Sequence, residues 1–544
     1  MDTDIPTSRT VTPVQSRRSY GLRPFAGMFA DVKARAPYYV SDWTDAWTYR
    51  VIPATAMIFF ANVLPGIAFS LDLIETTSQY GVTEVLLSSF MAAFIFSVLS
   101  CQPLCIAGVT GPITVLNKTI YDILATKDDA PNYLHFIGWV YLWAAIMHWV
   151  AAALNACNFL RYVTRFSCDT FGFYVAWVYL QYGVQVLTRQ LNQVELASVF
   201  VSIILALTML VTGSALITAC RSQYWGRFNL ANPLTLPTSG AFEPAGGREW
   251  LVKFWELDGK WVGIAFPFGF VLFILFYFDH NVSSLIAQGS EFPLRKPPGF
   301  HWDFFWLGIT TFIAGLLGVP APNGLIPQAP MHTEALVIMG VRRKDDPEKS
   351  PITASATPSP DRRSQLDGVE NYEPASQTLP QPHHAMIEEH PVSVVEQRVS
   401  NLAQGALCVV LMTGPFQHVL GLVPRGVLAG LFWFMGTDAL RTSGVTEKLL
   451  FLVRDPTLIP CRNMLRRVRR SRIALFAAIE LIGFGATMAI TQTIAAIGFP
   501  IVIFLLIPVR IWIIPMLPFT TEELSILDGP TASPFTMESV GGSI

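Results

Sequence analysis

The sequence predicts an all-α polytopic membrane protein built as two inverted repeats, each holding one broken helix. Three observations predict it. Only 14% of the 544 residues are charged and 52% are hydrophobic, whereas soluble domains carry about 25% charged residues. The apolar residues gather in blocks long enough to cross a bilayer, which takes roughly 20 helical residues. Two shorter segments, at the same place in each half of the chain, open on glycine and proline.

The elements follow in order. The first 50 residues are polar, with Arg17, Arg18, Arg23, Lys33 and Arg35, and carry no secretory signal, because the first apolar run is long enough to span and stay. Thirteen apolar segments follow, at about 51–71, 82–104, 109–125, 133–157, 169–188, 195–219, 261–286, 302–320, 324–340, 401–421, 425–440, 473–491 and 494–517. Between Arg342 and Glu396 the chain is rich in Pro, Ser, Thr and Glu, and a stretch of that composition buries too little apolar surface to fold. His383 and His384 are therefore read as solvated. The sequons at Asn117 and Asn281 fall at membrane depth and are discounted as glycosylation sites. Cys101 and Cys105 share a helical face without a His or acidic partner nearby, so they read as small packing residues and no metal is expected.

The third segment begins at Gly111-Pro112, and the ninth is entered through "GVPAPNGLIPQAPMHTEALVIMG". Proline begins a helix well and continues one badly. Irregular backbone at membrane depth is tolerated only where protein buries it or where it lines a wet cavity. The ninth segment is third in the series that starts at 261, so each broken helix is the third element of its half. Paired interruptions of this kind mark transporters with inverted repeats. Two helix starts facing each other in mid-membrane present unpaired N–H groups and partial positive charge, which attract an anion. Two proline-kinked spans with no ligand would give the same pattern.

Loop charge adds a second expectation. Basic loops favour the cytoplasm. With the N-terminus inside, six crossings leave Arg221 and Arg227 inside, but one more crossing puts Arg295-Lys296, Arg342-Arg343-Lys344 and the Arg454–Arg472 tract outside. The parity fails, and a crossing is expected to be missing between Arg221 and Lys260. The tract Glu249–Trp261 would form an interfacial amphipathic helix, which does not cross.

With "RAPYYVSDWTDAW", "FANVLPGIAFSLDLIETT", "QPLCIAGVTGPITV", "LFYFDHNVSSLIAQ", "NGLIPQAPMHTEAL", "VLAGLFWFMG" and "FPIVIFLLIPVR" in order along residues 30–525, the chain resembles the anion exchanger and bicarbonate transporter family. Within it the borate-exporter branch of fungi and plants is the nearest likeness. The resemblance implies two inverted repeats of seven spans, arranged as core and gate domains, with substrate between two half-helices at mid-membrane. A span normally found ahead of "PTSGAFEPAGGREW" has no counterpart here. The implied organisation is a tail at 1–47 with an interfacial helix, a first repeat at 48–220, a connector at 221–260, a second repeat at 261–517 interrupted by the 342–396 loop, and a tail at 518–544.

Asp279 lies in an apolar helix one turn before Ser283. An intramembrane carboxylate is costly and marks a functional site by default, and the family's acidic site residue aligns here. Asp279 is expected to titrate with transport, by coupling a proton or balancing charge. A purely structural carboxylate held by the Gly318–Asn323 backbone is the alternative. Gln328 stands where chloride/bicarbonate exchangers of the family carry arginine, and its amide can donate to hydroxyls of boric acid or borate without adding charge. Thr110, Gly111, Pro112, Ile113 and Thr114 are expected to frame one helix end, and Gln328, Ala329 and Pro330 the other. Lys118 is read as snorkelling at the rim, and His280 as equally a packing residue or a proton relay.

The resemblance further implies borate or bicarbonate as substrate, no cofactor, a lipid bilayer environment and a homodimer. The plasma membrane is the expected location, with a vacuolar or other internal membrane as alternative. No nucleophile–base pair, metal-ligand cluster or phosphate loop suggests an enzyme, and nothing suggests a nucleic-acid partner. A chloride/bicarbonate exchanger is the second reading, and a transport-dead isoform acting as a partner subunit is the third.

Overall fold

With no water in hydrocarbon, a spanning segment must pair its own backbone groups, so the apolar blocks become helices. In the computed structural model the residues described are 23–189, 196–212, 240–343, 387–455, 457, 459 and 463–541. The first half holds the short helices α1 (Ala26–Arg35) and α2 (Tyr39–Thr44), then α3 (Val51–Thr77), α4 (Val82–Val98), α5 (Gly111–Ala125), α6 (Tyr133–Ala153), α7 (Arg165–Thr188) and α8 (Leu196–Thr212). The second half holds α9 (Gly259–Ala287), α10 (Phe300–Leu317), α11 (Gln328–Ala335), α12 (Val399–Leu411), α13 (Gly414–Gly421), α14 (Arg425–Thr442), α15 (Gly444–Val453), α16 (Arg470–Thr491) and α17 (Phe499–Pro508). The short α18 (Thr521–Leu527) and α19 (Pro534–Glu538) close the chain. Among the described residues six helical stretches are by themselves long and apolar enough to cross, and a seventh if α12 and α13, bent by 84°, count as one. The other apolar segments form shorter or more polar helices.

Packing reveals the repeat. Helix α6 lies against α9 and α10 of the other half, and α12 lies against α3 and α4 in the same manner. Each half thus contributes the helix that completes the other half's pair. Helices α3–α6 and α9–α12 make one bundle in this way, while α7, α8 and α14–α17 make a second. The bundles meet along α3 with α14 and α9 with α17. On the face where α3 ends, the seam is bridged by charge. Arg189, at the end of α7, pairs with Asp72 and Glu75 of α3, and Arg425, at the start of α14, pairs with Glu75 at 2.7 Å.

Several expectations need correction. The segment read at 324–340 is helical only over Gln328–Ala335 and then becomes strand β3 (Val337–Arg343), paired antiparallel with β4 (Ile387–Val394). The ends of the 342–396 loop are therefore ordered: the β-branched residues Val337 and Ile338 in one arm and Val392 and Val394 in the other favour strands, and the register shifts between Ile338 and Met339, with Met339 opposite Pro391. The centre of that loop, with His383 and His384, lies outside the described residues. The tract Glu249–Trp261 is no amphipathic helix. A single turn at Phe254–Glu256 precedes α9, and Val252 N–H donates to Leu316 O at 2.8 Å, so the chain packs extended against the end of α10.

The described ends of the connector lie on opposite faces. Helices α8 and α14 run side by side in one direction, since a Cβ on Gly426 would touch Ser202 and one on Gly430 would touch Ala206. Because α14 starts beside the end of α3, α8 runs toward the face where α3 begins. Residues 240–258 lie on the opposite face, where Ala245 N–H donates to Glu84 at 2.6 Å near the start of α4. Residues 213–239, on which most of the expected missing crossing falls, lie outside the described residues.

Candidate functional site

The sequence Gly-Val-Thr-Gly-Pro stops one chain direction and starts a helix. Thr110 is the N-cap of α5 in extended conformation, and Pro112 sits in the first turn, where its missing N–H is harmless. In the other half, Pro327 immediately precedes α11. The residues before each half-helix cross as a two-residue antiparallel ladder, β1 (Ala107–Gly108) on β2 (Asn323–Gly324), with Ala107 opposite Gly324 and Gly108 opposite Asn323. Glycine is required here. A Cβ on Gly324 would lie 2.9 Å from both His280 Cα and Ser283 Cβ, and one on Gly108 would lie 2.5 Å from Asn62 Oδ1. Several backbone groups of these irregular stretches are paired within the protein, as membrane depth demands. Asp303 accepts from the N–H groups of Cys101 and Gln102 at 2.6 and 3.0 Å, Ser88 Oγ donates to Pro320 O at 2.6 Å, and Leu325 N–H donates to Ile106 O at 2.8 Å.

Helix α9 presses Asp279 against this crossing. Asp279 is 2% exposed. Its Oδ2 accepts from Asn323 Nδ2 at 3.1 Å, while among the described residues Oδ1 has no hydrogen-bond partner, nor has the buried Thr110 Oγ1. A buried carboxylate oxygen without a donor is expensive. A cavity of about 20 Å³ lies here, lined by Thr110, Gly111, Pro112, Asp279 and the Gly324–Pro327 backbone on one side. The other side is α7 of the second bundle, through Phe171, Val175 and Tyr179.

The anticipated residues thus divide. Thr110, Gly111, Pro112 and Asp279 line the cavity. Ile113 is buried in the main apolar core, and Thr114 Oγ1 donates to Thr110 O at 3.0 Å, so both hold the helix start from behind. Ser283 Oγ donates to Leu325 O at 3.1 Å and fixes the second loop. Gln328, Ala329 and Pro330 form the first turn of α11 just beyond the lining, with Gln328 Nε2 donating to Ala61 O at 3.2 Å. Asp279 is held by the Asn323 side chain rather than by the loop backbone. His280 faces away and packs on Phe96 at 5.0 Å, and Lys118 is half-buried further along α5. Asn117 accepts from Tyr141 at 3.1 Å and, like Asn281, is buried.

Sequence reasoning missed Asn323 and the whole α7 wall. Asn323 reads as an ordinary turn residue before glycine, and its partner lies 44 positions away. Helix α7 carries so many aromatic residues that every face of it looks like core.

The family model for the bicarbonate transporter integral membrane domain matches residues 23–211, 214–353 and 381–532. The chain belongs to this family. The match breaks at residues 212 and 213, resumes at 214 and runs through the 221–260 connector. Among curated proteins, the chain is 44% identical over 527 residues to a Schizosaccharomyces pombe protein named only as a transporter, covering 92% of this chain and 94% of that one. It is 38% identical over 581 residues to Boron transporter 1 of Saccharomyces cerevisiae, covering 99% and 92%. It is 24% identical to the Band 3 anion transport protein of Mus musculus, covering 94% of this chain and 55% of that one. Among solved structures, it is similar to the transmembrane domain of a cyanobacterial bicarbonate transporter, with a TM-score of 0.47 and 13% identity over 80% of this chain and 97% of that one. Murine Solute Carrier 26 family member A9 gives a TM-score of 0.49 and 11% identity over 90% and 71%.

Proposed function

We propose that this chain exports borate, or boric acid with coupled charge, across the plasma membrane by alternating access. The reading rests above all on one observation: the free oxygen of Asp279 and the free hydroxyl of Thr110 face a cavity between two half-helix starts and a helix of the other bundle. Boric acid brings hydroxyl donors to a carboxylate oxygen, and borate brings charge to the positive helix ends. The neutral amide of Gln328, where exchangers of the family carry arginine, adds no fixed charge and favours the hydroxylated substrate. The name of the Saccharomyces cerevisiae relative supports the same choice.

A cavity of about 20 Å³ admits roughly one water, less than boric acid, so loading requires the two bundles to part. Asp279 is given the role of the titrating group that couples a proton or balances the cavity's charge. Thr110, Gly111 and Pro112 contact substrate, while Ile113, Thr114, Ser283, Gln328, Ala329 and Pro330 hold the two helix starts in place. A homodimer is the assembly proposed, and the mass of the purified protein in detergent tests it.

Boron accumulation in cells expressing the chain, with and without Asp279→Asn, tests the reading. Wild-type expression should lower cellular boron and Asp279→Asn should not. Equal boron in both, with equal surface protein, rejects it. Chloride-dependent bicarbonate flux without boron export would select the exchanger reading, and neither flux from surface-localised protein would select a partner subunit without transport.

A further inference from the structure

The cavity wall contributed by the second bundle is made by Phe171, Val175 and Tyr179, spaced four residues apart along one face of α7. Tyr179 alone of the three carries a hydroxyl. Its ring is fixed by Phe69 of α3 at 5.8 Å and Phe432 of α14 at 5.9 Å, and it is 3% exposed. Tyr179 therefore reaches from α7 to α3 across the seam on which the bundles must slide, while it lines the cavity.

We propose that Tyr179 is a substrate-contacting residue whose hydroxyl binds a hydroxyl of boric acid or borate opposite the free oxygen of Asp279. This deepens, and rests on, the boron-export reading of the same cavity. A phenol hydroxyl donates one hydrogen bond and accepts another, as each B–OH group does. A bicarbonate ion offers one hydroxyl and two anionic oxygens, so it gains less from the acceptor half of the phenol.

Tyr179→Phe removes the hydroxyl and leaves the ring packing on Phe69 and Phe432. The experiment measures initial rates of boron efflux against internal boron concentration, with surface protein quantified. The expected result is a KM raised roughly 3- to 10-fold, as for loss of one neutral hydrogen bond, with kcat little changed. An unchanged KM at equal surface protein overturns the inference. On purified protein, boric acid should raise the melting temperature of wild type more than that of Tyr179→Phe, and equal stabilisation also overturns it. Asp279→Asn separates the two levels. Export lost in Asp279→Asn with an unchanged KM in Tyr179→Phe rejects the role of Tyr179 alone, whereas export intact in Asp279→Asn rejects the reading of the cavity.

Discussion

Replacing Arg189 by glutamine should open the substrate cavity toward the face where α3 ends. Arg189 leaves α7 of the second bundle to pair with Asp72 and Glu75 of α3 in the first, and Arg425 of α14 adds a second bond to Glu75. These ion pairs cross the seam that substrate entry must widen. Asp72 is 2% exposed and Arg189 is 26% exposed. A fully exposed pair is worth about 0.2–1 kcal/mol, and removing one partner of a buried pair costs about 3–5 kcal/mol. With one partner buried and the other partly wetted, the closed state should lose an intermediate ~1–3 kcal/mol, a shift of roughly 5- to 150-fold in the opening equilibrium. A cysteine at Val175, in the cavity wall, reports it through reaction with a membrane-impermeant thiol reagent applied from that face. The same chain without Val175→Cys corrects for the native cysteines. Labelling should accelerate by that factor in Arg189→Gln and by much less in Arg189→Lys. Equal labelling rates in Arg189→Gln and its parent, at equal surface protein, would refute the assignment of these pairs as a closing contact.

Two further outcomes follow from the packing. Asp42 is fully buried and accepts from Arg35 at 2.9 Å, Lys296 at 2.8 Å and Arg398 at 2.9 Å, so Asp42→Asn leaves buried cations without their shared anion. It should cost about 3–5 kcal/mol, seen as a lower midpoint of thermal unfolding in detergent, and an unaltered midpoint would show that the cluster is solvated. Gly324→Ala drives a methyl group into the backbone and Ser283 side chain of α9, a strain of about 1–3 kcal/mol. Boron export should fall while the protein still reaches the membrane, and full export would mean that the strand crossing tolerates displacement.

The membrane setting, the run of helices and the pair of broken elements are legible in the chain alone, because these follow from local composition and from the cost of unpaired backbone in hydrocarbon. Gly111-Pro112 could be read as a helix start from a few neighbouring residues, and Asp279 was conspicuous because a carboxylate is rare in such surroundings. Which groups share the cavity emerges only from the packing of the two bundles. Asp279 meets Asn323 across 44 positions, and Tyr179 lines the same cavity from the other bundle; neither juxtaposition leaves a periodic trace. The β3–β4 pairing was hidden for the same reason, since its arms are separated by a long polar stretch and only their meeting in space makes them strands. Local chemistry fixes how a segment folds. Partners distant in sequence become legible only once inverted packing has brought them to one place.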